Sequence, residues 1–115
     1  MISEETEVHL NEAVVSEYEN CVSNHGDFKN HHEAYAVTLE EVQEIEEVAV
    51  LFSERVVRSA MPVLWFSVRQ DIDMFSMRAE IDRIYDTAEE IAKECIQVMA
   101  VCKKWMRLIE VEREE

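Results

Sequence analysis

Residues 39–56 read Leu39-Glu40-Glu41-Val42-Gln43-Glu44-Ile45-Glu46-Glu47-Val48-Ala49-Val50-Leu51-Phe52-Ser53-Glu54-Arg55-Val56. With Leu39 at zero and about 100° per residue, Val42, Ile45, Ala49, Phe52 and Val56 gather between about 220° and 300°. That is one apolar face of a helix, not the two-residue alternation of a strand. Glu41 falls at about 200°, beside Phe52 and Val48, and Glu44 at about 140°, while Glu40 and Glu47 point mostly outward. Glu41 and Glu44 are therefore i, i+3 neighbours on the edge of the buried face. A carboxylate turned toward a core needs a partner, because burying it unpaired is very costly.

Helical signals extend in both directions. Asn30-His31-His32-Glu33 has the form of a capping box, so this helix is expected from about residue 31 to about residue 60. Upstream, Ser3 can cap a first helix with Glu4 and Glu5 near its positive end, and His25-Gly26-Asp27 ends it. Downstream, Pro62 breaks or restarts the helix, and 62–68 makes a short, very apolar one. Asp71-Ile72-Asp73 marks a turn or a new cap. A long helix is expected from about 74 to about 112. Its apolar stripe includes Ile81, Ile84, Tyr85, Ala88, Ile91 and Ala92, and continues through Cys95, Met99, Cys102 and Met106. Glu94 lies on the rim of this stripe, with Glu90 and Gln97 a little further out.

One Gly and one Pro in 115 residues, with 48% hydrophobic residues, point to a single all-α domain over 1–115. The expected architecture is a three- or four-helix bundle whose long second and last helices lie antiparallel.

The net charge of −15 is uneven: residues 1–54 hold 14 acids and one base, and residues 55–115 hold 12 acids and 10 bases. So acidic a chain will not bind nucleic acid by counterion release, and it repels free anions unless a cation intervenes. Most of the glutamates are read as a solvated surface. Of the three cysteines, none in a CxxC pairing, Cys95 and Cys102 lie one heptad apart on an apolar face and read as reduced core residues of a cytoplasmic protein, while Cys21 is uninformative. The acidic start is not that of a signal peptide, and no apolar run approaches the roughly 20 residues that span a bilayer, so no membrane partner is expected.

Carboxylates at i, i+3 on one helix, with further oxygens from a facing helix, can share a hard cation such as magnesium. Such an ion keeps positions open for substrate phosphates and can orient an attacking water. Lys93, Lys103, Lys104 and Arg107 are available to phosphates, although cations near a helix C-terminus are favourable in any case. Trp65, Phe66 and Trp105 are read as core rather than as base-stacking residues. His31 and His32 are read as surface residues of the cap.

His32-Glu33-Ala34-Tyr35-Ala36-Val37-Thr38-Leu39-Glu40-Glu41-Val42-Gln43-Glu44 resembles the metal-binding helix of MazG-type all-α nucleotide pyrophosphohydrolases, most closely a phage and Firmicutes subgroup. Ile84-Tyr85-Asp86, Ala88 and the run from Ala92 to Ala100 are similar to that subgroup's second helix, as is Leu64-Trp65 between them. The resemblance spans roughly residues 25 to 108. It implies an ExxE pair at Glu41 and Glu44 and a second pair beginning at Glu94, together holding Mg2+ or Mn2+. The metal would bind a nucleoside triphosphate, and water attack would give the monophosphate and pyrophosphate. It also implies a homodimer or homotetramer. The family's aspartate position is Gln97 here, a neutral and weaker ligand, and the two pairs are further apart than in compact members. Glu40 or Glu90 is the candidate to act on the attacking water, and Lys93 and Lys104 are the candidates to hold phosphate. The alternative is a MazG-like module that binds nucleotide or a protein partner without hydrolysis. A plain bundle with surface glutamates is the third reading.

Overall fold

The computed structural model describes residues 1–115, apart from the side chain of Met74. Helices α1 (Glu4–His25), α2 (His31–Phe52), α3 (Met61–Arg69) and α4 (Met74–Glu114) follow in order, with a π-helical segment, Ser53–Ala60, between α2 and α3. No strand occurs among the described residues, so the chain is all-α as its composition predicts. The contacts form two compact units, residues 1–43 with 94–115 and residues 44–93, and the division passes through α2 and α4.

In the first unit, local signals set the helix ends. Ser3 Oγ accepts a hydrogen bond from the Thr6 amide at 3.1 Å, and three glutamates occupy the first turn of α1. Gly26 ends α1 at φ 74° and ψ −177°, and its N–H donates to the Val22 carbonyl at 2.7 Å. That conformation is nearly closed to side-chain-bearing residues. It also differs from the left-handed helical cap expected of this glycine. Asn30 Oδ1 accepts from the Glu33 amide at 2.9 Å and so opens α2. Phe28, Ala34 and Val101 form a small core, with Val37, Trp105 and Leu108 packed against it. Trp105 Nε1 donates to His31 Nδ1 at 3.0 Å, and the other His31 nitrogen lies 2.8 Å from Glu112 Oε2. Since Nδ1 accepts, the proton of the neutral ring sits on Nε2 and is donated to the carboxylate. Glu41 meets Gln97 ten residues further along α2 and fifteen back along α4, so within this unit the two helices run antiparallel.

In the second unit, Pro62 does not interrupt the helical path. Ala60 and Met61 both keep helical angles, and the Met61 N–H bonds to the carbonyl of Val56, five residues back. The wider π turn precedes the one residue that can donate no helical hydrogen bond, and Pro62 then sits in the first turn of α3, where none is needed. Asp71, at φ 51°, turns the chain, a conformation aspartate tolerates. Asp73 Oδ1 accepts from the Phe75 amide at 3.3 Å at the start of α4. Val56, Ala60, Ser67, Met77 and Thr87 are the buried residues here. Val63, Trp65, Phe66 and Val68 of α3 stay exposed, so Trp65 and Phe66 are not the core residues the sequence pattern predicts.

Two helical faces also differ from expectation. On α2 the residues withdrawn from solvent include Ala34, Val37, Glu41, Glu44 and Val48, whereas Val42 and Ala49 are exposed. Glu41 therefore lies at the middle of the packed face, not on its edge. On α4 the expected core stripe is largely solvent-facing: Ile81, Tyr85, Ala88, Ala92, Met99 and Met106 are all exposed. Met77, Thr87, Ala100, Val101 and Lys104 are buried instead. Apolarity runs around more of α4 than its own chain covers.

The caps give a direct test. Asn30→Ala is expected to lower unfolding free energy by about 1 kcal/mol in urea titration, and Asn30→Asp to leave it nearly unchanged.

Candidate metal centre

The first unit brings together three of the residues singled out in the sequence. Glu41 on α2 and Glu94 on α4 are both half-buried, and each offers a carboxylate oxygen within 4.8 Å of the other. The Gln97 amide nitrogen lies between them, 3.1 Å from Glu41 Oε2 and 3.3 Å from Glu94 Oε2. An amide oxygen turned that way would face only acceptors, so hydrogen bonding sets the nitrogen toward the carboxylates. Glu44 is one turn beyond Glu41 on the same helix, half-buried like it, with a carboxylate oxygen within 4.8 Å of one of Glu41. Packing explains the placement: these positions continue the covered face of α2 that begins at Ala34 and Val37.

Chemically, Glu41, Glu44, Glu94 and Gln97 are an all-oxygen donor set once the Gln97 amide turns over. Three carboxylates and one amide oxygen suit a hard divalent cation, and offer nothing to a soft one. In its present orientation the Gln97 NH2 group satisfies two of the carboxylate oxygens with neutral donors.

A pocket of about 440 Å³ adjoins this cluster in the first unit, and Glu41 and Gln97 form part of its wall. Phe28, Val37 and Val101 supply its apolar surface, and Glu17, Glu33 and Glu40 its acidic one. Lys104 also lines it, although only 6% of that residue is exposed. Its Nζ sits 4.2 Å from the centre of the Phe28 ring, a cation–π contact that compensates part of the lost hydration. The sequence pattern suggested a surface cation; its long apolar stem allows burial instead.

The other candidates lie elsewhere. Glu40 is exposed on the pocket wall. Glu90 is exposed in the second unit, in a shallow cleft with Arg55, Asp82, Arg83 and Asp86. Lys93 is exposed and pairs with Glu89 at 3.1 Å. Glu17, Cys21 and Phe28 were not anticipated as pocket residues, since no motif marks them. The Cys21 thiol donates to Glu17 Oε1 at 3.6 Å. Its pKa is pushed above the ordinary value, first by burial and then by the Glu17 charge and hydrogen bond. Cys21, Cys95 and Cys102 are all free thiols. No described helix is long and apolar enough to cross a membrane.

No family model matches this chain, and no curated protein or solved structure matches it.

A raised thiol pKa means less thiolate at neutral pH and slower alkylation. In a Cys95→Ala/Cys102→Ala background, Cys21 should react with iodoacetamide more slowly than free cysteine, and Glu17→Gln should speed it. Equal rates with and without Glu17 would contradict the assigned cause.

Proposed function

We propose that this protein is a MazG-like, metal-dependent nucleoside triphosphate pyrophosphohydrolase that works in the cytoplasm as a homodimer or homotetramer. The observation that carries the reading is the convergence of Glu41, Glu94 and Gln97, with Glu44 one turn along α2. Glu41, Glu44 and Glu94 would hold Mg2+ or Mn2+, with the Gln97 oxygen as a fourth, weaker ligand. The ion, when bound, supplies charge neutralisation for the triphosphate and orients water.

The chain's own residues account for the rest of the chemistry. Glu40 shares a pocket wall with Glu41 and is the better placed of the two candidate bases to take a proton from the attacking water. Water adds to the α-phosphorus, the bond to the bridging oxygen breaks, and the monophosphate and pyrophosphate leave. The Lys104 ammonium meets phosphate oxygens from inside the pocket, where limited hydration strengthens the attraction. Lys93, outside the pocket lining, would act only as an outer phosphate contact. Phe28, Val37 and Val101 offer an apolar wall for the base. The acidic remainder of the chain disfavours nucleic acid and leaves the cation as the means of attracting a triphosphate.

The second reading, a module that binds nucleotide or a protein partner without hydrolysis, is favoured by Gln97 itself, since the amide removes one negative charge from the ligand set. A pyrophosphate-release assay over canonical and modified nucleotides, with magnesium and with manganese, decides between the two. Turnover that Glu41→Gln reduces by about 100-fold or more supports the enzyme, in line with the loss of a charged metal ligand. Absence of turnover with every nucleotide contradicts it. Turnover that appears only in Gln97→Asp identifies a weakened site.

A further inference from the structure

Helix α4 is one uninterrupted α-helix of 41 residues. Along it, Ile81, Tyr85, Ala88 and Ala92 succeed each other at alternating steps of four and three. Cys95, Met99, Cys102, Met106 and Ile109 continue the same alternation without a break. None of these nine residues is buried. The two cysteines are half-buried and the other seven are exposed, with Tyr85 at 68%, Met106 at 55% and Ile109 at 52%. The face of α4 that packs within the chain is a different one, marked by Met77, Thr87, Val101 and Lys104.

A sustained 4-3 apolar repeat is the signature of a helix that packs along a second helix in a left-handed supercoil. Here the repeat covers about 42 Å of helix at about 1.5 Å per residue. Single exposed apolar residues are ordinary, but a continuous stripe of this length marks an interaction surface.

Charge identifies the occupant. Only one flank of the stripe is charged and open to solvent, since the other is formed by the half-buried Ile84, Ile91, Val98 and Trp105. The open flank carries Asp82, Asp86 and Glu89 toward the N-terminus, Lys93 near the middle, and Lys103 and Arg107 followed by Glu110 toward the C-terminus. A parallel pair of α4 helices would set like charges side by side. An antiparallel pair, related by a two-fold axis crossing α4 near Cys95, sets Asp82 and Asp86 of one copy level with Arg107 and Lys103 of the other. Asp82 and Arg107 now make exposed pairs along α4, with Arg78 at 2.8 Å and Glu110 at 3.7 Å, and such pairs are weak enough to exchange partners.

We propose that the outward 4-3 stripe of α4 is the interface between two copies of this chain, packed antiparallel about a two-fold axis near Cys95. The inference rests on the oligomeric part of the proposed function and is independent of its catalytic part. An isologous interface requires this self-complementarity: each copy contributes the same stripe and the same flank, reversed.

Sedimentation equilibrium of the full chain tests it without any activity assay. The wild type should be dimeric or a higher even oligomer at micromolar concentration. Ala92→Glu and Tyr85→Glu should each weaken association by about 100-fold, the order expected when a charge is forced into an apolar seam. Circular dichroism should show their helix content retained. Asp86→Lys and Lys103→Glu should each weaken association, and combining them should restore it. A monomeric wild type, or a dimer indifferent to Ala92→Glu and Tyr85→Glu, would overturn the interface. A charge-reversed double variant no tighter than its parents would overturn the antiparallel arrangement.

Discussion

Glu41 and Glu94 face each other from the packed sides of α2 and α4, with ligand oxygens within 4.8 Å, and two half-buried carboxylates so close repel unless something electropositive lies between them. Gln97 supplies that in neutral form, through an NH2 group within hydrogen-bonding distance of both. The constraint reaches outward from there. It requires α2 and α4 to meet in one register, which the His31, Trp105 and Glu112 contacts hold at the far end of the same helix pair. It also places an acidic wall beside the pocket that holds Lys104.

An amide is a versatile occupant of that position. With nitrogen inward it quiets two carboxylates, and with oxygen inward it joins them as a ligand, so the same side chain suits the site with or without a cation. An aspartate there would add a third negative charge to Glu41 and Glu94, which without a cation is the less stable arrangement. On the proposed metal-binding reading, Gln97 lets the site persist unfilled, in return for a weaker grip on the ion.

Much of the fold was legible because its determinants are local. Ser3, Asn30, Gly26 and Asp73 act on their own neighbours through caps and turns, and each does so in the structure. What could not be read was which apolar face finds a partner within the chain. The periodicity of α4 draws the core stripe through Tyr85 and Met106, yet both are exposed, because periodicity marks an apolar face without saying whether the chain itself covers it. The pattern puts Glu41 on an edge for the matching reason: hydrophobic residues alone locate the centre of the α2 face, while a contact made by a glutamate carries no weight in that sum. The burial of Lys104 against the Phe28 ring depends on tertiary packing and has no local signature.

Gln97 offers the most direct test of the proposed cation site. Its side-chain NH2 resonances can be followed by ¹⁵N-edited NMR while magnesium is added to the full chain. They should shift saturably, as the amide turns its oxygen to the ion, and Glu41→Gln should abolish the shift. Resonances that stay fixed up to millimolar magnesium would contradict a cation site at Glu41, Glu44 and Glu94.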